Sequence, residues 1–232
     1  MLVTPEDPSL LDGLRRLEAE SDARLAGGET RLGWKAGFGT AAAMAKLGTS
    51  GPLAGFLTET TLGASGATFD VSDWAKPVLE PEVAVRLAAD IEAGADRSQI
   101  AAAVGAVGAA IELVDLGAAG DDPGAMLAAN LFHRAVLLGD LAPLAPGNAL
   151  ADVRVDVRSA GADHALGADP AAVLGDLIDV LASMASLLAP TSYRLRAGDV
   201  IITGAAVPPF MLEGGEEVDV RVGDSRVSAR VA

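Results

Sequence analysis

The sequence predicts an α+β domain built around a mixed β-roll with flanking helices. Three observations lead there: strand-like segments outnumber helical ones, the two kinds do not alternate regularly, and the chain closes on a hairpin pattern. Regular alternation would have pointed to a doubly wound parallel sheet instead.

The first element is a helix. Asp7-Pro8 reads as an N-cap with proline in the first turn, Leu10, Leu14, Leu17 and Ser21 share one face, and Gly27-Gly28 stops it. Asp122-Pro123 and Asp169-Pro170 repeat the same start signal. After Pro170 a single helix is expected, with Leu174, Leu177, Leu181, Met184 and Leu188 as its buried stripe and Pro190 as its end. Asp96 with Gln99 is a capping box for a helix from 97 to about 104. Strands are expected over 31–38, 78–87, 109–115, 135–138, 153–158 and 200–203. Residues 218–222, a Gly223-Asp224 turn and Ser225 onward form the closing hairpin. The Ala/Gly-rich run over 101–110 fits a helix followed by a strand.

Composition narrows the function. Over 232 residues the formal charge is −15, which argues against nucleic acid or an anionic membrane as the main partner. There is no cysteine, so disulfides, thiol catalysis and cysteine zinc sites are excluded together. The longest apolar stretch, 100–111, is too short to span a bilayer and closes on Glu112. Residues 1–7 carry no basic region or hydrophobic signal core, so the cytoplasm is the expected location.

Glu80, Glu82 and Glu112 lie in apolar surroundings, where an uncompensated carboxylate costs several kcal/mol. Strand alternation puts Glu80 and Glu82 on one face and Leu79, Val83, Val85 and Leu87 on the other. Same-face neighbours are about 7 Å apart, close enough to converge on one cation. Oxygen ligands of this kind suit Mg²⁺ or Mn²⁺. A solvated strand face with Glu112 in a structural ion pair would satisfy the same spacing. Lys35 tips the reading toward a site, because it stands in Gly33-Trp34-Lys35-Ala36-Gly37-Phe38-Gly39, where glycines let backbone approach a ligand. Its ammonium suits an enolate or carboxylate oxygen, or proton transfer.

These pieces resemble the fumarylacetoacetate hydrolase superfamily, and within it the 2-oxopent-4-enoate hydratase and 4-oxalocrotonate decarboxylase branch. The resemblance rests on Gly33-Trp34-Lys35-Ala36-Gly37, Glu80-Pro81-Glu82-Val83-Ala84, Ala110-Ile111-Glu112-Leu113-Val114-Asp115, Asn130 and Gly198-Asp199-Val200-Ile201-Ile202-Thr203-Gly204. It implies a β-roll of the superfamily's C-terminal-domain type, with Mg²⁺ or Mn²⁺ on Glu80, Glu82 and Glu112. It implies a small 2-oxo acid substrate, chelating through its carboxylate and keto oxygens, and a homo-oligomer. Lys35 takes the place of the family's active-site lysine. Gly37, Phe38, Leu57, Asn130, Thr203 and Gly204 are then expected along the substrate. On this view residues 1–30 form a helical segment packed on a single metal-dependent catalytic domain, residues 31–232.

Two departures bear on the reaction. Hydratases often carry an acidic pair after a Gly-x-Leu segment, whereas Gly55-Phe56-Leu57-Thr58-Glu59-Thr60 leaves Glu59 alone as the candidate acid. His133 stands where small residues are frequent and is read as structural. Asp115 is read as the end of a strand. The stretch after the lysine strand, 38–48, holds no histidine or acid, so the water-activating pair of C–C hydrolases is missing. Hydration of a 2-hydroxypenta-2,4-dienoate-type substrate ranks first, decarboxylation of a 4-oxalocrotonate-like acid second and C–C hydrolysis third. A non-catalytic 2-oxo acid binder is the alternative outside catalysis. Gly37-Phe38-Gly39-Thr40-Ala41-Ala42 fits a dinucleotide fingerprint, but Arg31 and Lys35 on the preceding strand and the lack of alternation weigh against that use.

Overall fold

The structure, a computed structural model, describes residues 7–118, 120–144 and 149–232. The leader reading of residues 1–6 therefore concerns residues outside the described set. In chain order the elements are α1 (Pro8–Ala26), β1 (Arg31–Gly37), α2 (Ala41–Leu47), β2 (Leu53–Thr58), β3 (Leu62–Gly63), β4 (Ala67–Phe69), β5 (Pro77–Leu87), α3 (Arg97–Ala103), β6 (Val104–Asp115), α4 (Pro123–Ala128), β7 (His133–Leu138), β8 (Val155–Ser159), β9 (Ala162–Ala168), α5 (Ala171–Leu174), α6 (Leu177–Leu188), β10 (Val200–Ala205), β11 (Phe210–Met211), β12 (Glu217–Val222) and β13 (Ser225–Val231). Short 3₁₀ turns, among them Glu59–Thr61 and Asn130–Phe132, join some of these.

The larger sheet runs β2-β1-β10-β5-β6-β7-β3, with β11 also on β5. Its β1–β10 and β3–β7 pairs are parallel and its β1–β2, β5–β6 and β6–β7 pairs antiparallel, so the sheet is mixed as expected. A smaller sheet, β4-β13-β12-β8-β9, packs β12 and β13 across β6. Ser225 Oγ accepts the Ala109 amide at 2.9 Å and ties the two sheets together.

Alternation along the larger sheet sorts side chains into two sets. Leu79, Val83, Val85, Ile111 and Leu113 share the main core with Leu14 and Leu17 of α1 and Leu181 and Met184 of α6. Each such side chain contributes roughly 1.5–3 kcal/mol by leaving water. On the opposite face Leu57, Ala84, Ala110, Val136, Val200 and Ile202 form a second, small apolar cluster. Glu80 and Glu82 continue the Ala84 row, and Glu112 continues the Ala110 row.

Pro81 lies inside a central strand, where a missing donor is usually excluded. Its carbonyl accepts from Ala206 N at 2.8 Å, so its backbone polar side faces away from β6, into the gap between β10 and β11. No ladder bond is lost there. The E-P-E spacing is thereby compatible with a strand between two neighbours.

Several expectations need correction. The helix expected after Pro170 is two: the chain breaks at Gly175, and Asp176 caps α6 by accepting from Ile178 N at 2.8 Å. Strand β6 starts at Val104, well before the expected 109, because β5 is long enough to pair its whole length. Strands β2 and β9 have no counterpart in the sequence reading, nor do the short β3, β4 and β11. The first has few polar residues to show alternation, and most of the second is solvent-exposed. The capping box at Asp96 and Gln99 makes both of its bonds. The glycine fingerprint does join a strand to a helix, but α2 returns to antiparallel β2, so no βαβ unit exists. Among the described residues, no helix is long and apolar enough to cross a membrane.

Candidate active site

Glu80, Glu82 and Glu112 converge, each offering a carboxylate oxygen within 4.8 Å of the others. Register explains the meeting: Glu80 stands opposite Glu112 in the β5–β6 ladder, and Glu82 follows on the same face. Glu82 and Glu112 are fully buried. A bulge in β10 serves Glu82. Between Ile202 and Ala205 the pairing with β5 slips, and Gly204, at φ +97°, donates its amide to Glu82 Oε2 at 2.7 Å. Only glycine adopts that backbone without strain.

Lys35 reaches in from β1 and forms an ion pair with Glu112 Oε1, both side chains shut off from solvent. Its ammonium also donates to the Leu131 carbonyl at 3.3 Å. Gly55 makes room for it: a Cβ there would stand 2.9 Å from Lys35 Cγ and 2.7 Å from Asn130 Oδ1. Asn130 pairs with both backbone groups of Phe56, accepting at 2.8 Å and donating at 3.0 Å. It thereby acts as a one-residue extension of the β2 edge. Asn130, Leu131 and Phe132 all take left-handed φ, 48°, 50° and 63°. Such strain costs about 1–2 kcal/mol per residue and marks a backbone held for a purpose.

The electrostatics are those of an acid cluster with too little positive charge. Burial, followed by repulsion from Glu112, raises the Glu80 carboxyl to about 7. Burial, then repulsion from Glu112 and Glu80, raises Glu82 well above the ordinary range. Burial would raise Glu112 too, but the Lys35 ammonium and the His133 hydrogen bond outweigh it and leave Glu112 below its usual value. His133 Nδ1 lies 2.6 Å from Glu112 Oε1, and its Nε2 lies 2.9 Å from Thr61 Oγ1. Burial holds His133 below its ordinary value. Two carboxylate oxygens, Glu82 Oε1 and Glu112 Oε2, are buried without a partner. Orphans of that kind are costly and uncommon. A hard divalent cation fits this donor set, satisfying both oxygens and the excess negative charge.

A cavity of about 360 Å³ opens from Lys35 and Glu80 between mostly apolar walls that include Phe38, Leu131, Leu174 and Pro208. Gly37 and Gly204 also line it. Other expected substrate contacts fall elsewhere. Leu57 is sealed in the small apolar cluster beneath the carboxylates. Thr203 is buried and donates to the Val83 carbonyl at 3.1 Å. Asn130 acts on Phe56 rather than on the cavity. Glu59 is not brought to the site: it is exposed on the Glu59–Thr61 turn, because β2 ends at Thr58 and carries it past the sheet edge. Asp115 ends β6 and accepts the amides of Lys76 and Gly117 at 2.8 and 3.2 Å. Sequence reasoning missed the contact of His133 with Glu112. Its signal, a one-residue slip in the β6–β7 ladder, is visible only once the strands are paired.

No protein-family model matches the chain. It is 30% identical over 207 residues to a 4-oxalocrotonate decarboxylase of Pseudomonas putida, which spans 88% of this chain and 78% of that protein. The solved structure of 4-oxalocrotonate decarboxylase from Pseudomonas putida G7, complexed with magnesium and adipate, superposes with a TM-score of 0.87 at 27% identity, over 98% of this chain and 88% of that one. A protein described as of the fumarylacetoacetate hydrolase family, from Yersinia pestis CO92, shares the fold with a TM-score of 0.64 at 17% identity, over 88% of this chain and 93% of that one. The chain belongs to the fumarylacetoacetate hydrolase superfamily of enzymes, in the branch that holds the 4-oxalocrotonate decarboxylases.

Proposed function

We propose that this chain is a divalent-metal-dependent lyase that removes CO₂ from an unsaturated 2-oxo dicarboxylate of the 4-oxalocrotonate type. One observation carries the choice among reactions: Glu80, at the edge of the carboxylate trio, and Lys35 open onto a cavity with mostly apolar walls and no other acid among its described lining residues. Hydration needs an acid that moves a proton onto the substrate before water adds, and Glu59, the candidate for that role, is elsewhere. Decarboxylation asks less. It needs an electron sink at the 2-oxo group and a poorly solvated place for the departing carboxylate. The relatives' activity supports the same order.

Glu80, Glu82 and Glu112 would hold Mg²⁺ or Mn²⁺. Bound there, the ion supplies Lewis acidity toward the substrate's 2-oxo and carboxylate oxygens. In 2-oxohex-3-enedioate the C5–C6 bond breaks, and its electron pair moves through the conjugated carbons to the 2-oxo oxygen. Lys35, the one cation among the described lining residues, stands where it can hold a proton for that oxygen. The apolar walls exclude water from the C6 carboxylate. Gly204 keeps Glu82 fixed while the charge moves.

The test is metal-stripped protein reloaded with Mg²⁺ or Mn²⁺ and given 2-oxohex-3-enedioate. Metal-dependent CO₂ release, lost in Glu112→Gln, is the expected result. Water uptake by 2-hydroxypenta-2,4-dienoate with no CO₂ from the diacid would overturn the proposal in favour of a hydratase.

A further inference from the structure

Two donors meet on a single oxygen of Glu112. Lys35 and His133 both contact Oε1, while Oε2 is buried and bare. His133 reaches this position through a bulge. Leu113 pairs with Ala135, but Val114 pairs with His133, so β7 carries one extra residue there. Uninterrupted alternation from Val136 would put His133 on the opposite face from Glu112. The extra residue turns it onto the face of Glu112 and Val114, as bulges do when they re-aim a side chain. The His133 side chain is only 2% exposed, and Thr61 holds its far nitrogen.

From this geometry we infer that His133 is a positioning residue. Its ring, donating from Nδ1, pins Oε1 of Glu112 and leaves Oε2 free for a cation. The ring must be protonated at Nδ1, because an ionised Glu112 only accepts. In that tautomer Nε2 can accept from the Thr61 hydroxyl 2.9 Å away, whose other acceptor is the Thr58 carbonyl at 3.1 Å. A histidine–carboxylate contact behind a metal ligand commonly sets affinity by a factor of about 10–100. This inference rests on the metal site proposed above.

The experiment measures Mg²⁺ binding to metal-free protein by calorimetry and reads the ring tautomer by ¹⁵N NMR. With two histidines in the chain, His133 and His164, each variant identifies its own signal. His133→Leu, which fills the space without a donor, is expected to bind Mg²⁺ about 10–100-fold more weakly. His133→Asn can place an amide donor near the lost Nδ1 and is expected to recover most of that loss, which simple packing would not explain. Thr61→Val keeps the ring and is expected to scramble its tautomer and weaken binding several-fold. It serves as the decisive variant should His133→Leu fail to fold. Wild-type protein that binds neither Mg²⁺ nor Mn²⁺ would sink the metal reading and this inference together. Wild-type binding that is unchanged in the folded variants, or a ring protonated at Nε2 instead, would overturn this inference alone.

Discussion

Lys35 and Glu112 form a buried ion pair although two whole strands, β10 and β5, lie between their own. In a flat sheet the two strands would be about 14 Å apart, and the register sets Glu112 further along its strand than Gly108, the residue level with Lys35. The curl of the sheet closes that gap and makes the face inside the curl a pocket. The pair is also what holds Glu112 ionised among acids that burial pushes toward protonation. Lys35 thus links the fold to the site: the same contact spans the roll and sets the charge of a proposed metal ligand.

Lys35→Met tests that link. It leaves Glu112 charged and buried with His133 as its remaining partner, a change that typically costs about 3–5 kcal/mol. Melting in EDTA should fall sharply. Added Mg²⁺ should restore more stability to the variant than it adds to wild type, because the ion replaces the missing positive charge. Turnover should drop on the order of 10²–10⁴-fold. Unchanged melting in EDTA would show that the pair does not carry this energy.

Gly204→Ala probes the bulge. At φ +97° alanine is strained by about 1–3 kcal/mol, and its Cβ would sit 3.2 Å from Leu174 Cδ2. The amide that holds Glu82 should shift with it. Urea unfolding should show a lower midpoint with the same slope, and calorimetry should show weaker Mg²⁺ binding. A variant with lower stability but undiminished Mg²⁺ affinity would separate the bulge from the site.

Much of this was legible in the residues. Glu80, Glu82 and Lys35 stood out because charge in apolar sequence has few explanations, and strand period two put Glu80 and Glu82 on one face. Glu59 misled because spacing after Gly55 says nothing about where β2 ends. Once the strand stops at Thr58, the next side chain leaves with the turn. Leu57 and Thr203 lie in the right strands but are sealed in packing, a distinction that motif order does not carry. His133 was missed for a different reason. Its face depends on one inserted residue in β7, and a bulge has no signature until the partner strand is known. Gly175 was passed over because the leucine stripe continues on both sides of the break.

Asn130 should prove sensitive without touching substrate. Its side chain makes both bonds to Phe56 and starts the left-handed turn that presents the Leu131 carbonyl to Lys35. Asn130→Ala removes the bonds and the side chain most tolerant of that backbone, for a loss of roughly 1–3 kcal/mol. Asn130→Asp keeps the acceptor for Phe56 N but sets a carboxylate against the Phe56 carbonyl. Both variants should lose turnover more than Mg²⁺ affinity, since Lys35 moves and the three carboxylates do not. Equal losses in the two measurements would mean that the whole site had collapsed.

The pH dependence of the metal-free protein follows from Glu80. Burial raises its carboxyl from the ordinary 4.5 to about 7 in the folded chain. Between those values the folded protein keeps a proton that the unfolded chain has released, so stability falls as pH rises through the window. Glu82, also raised by burial, adds a loss of the same sign. Glu80→Gln cannot ionise. In EDTA its melting temperature should exceed that of wild type by a margin that grows from about pH 5 to about pH 8. Saturating Mg²⁺ should reverse the order, because the ion stabilises the ionised wild-type cluster and binds more tightly as protons leave. A margin that stays constant across that range would mean that Glu80 is already ionised in the metal-free fold, and that the acid cluster is better compensated than its burial implies.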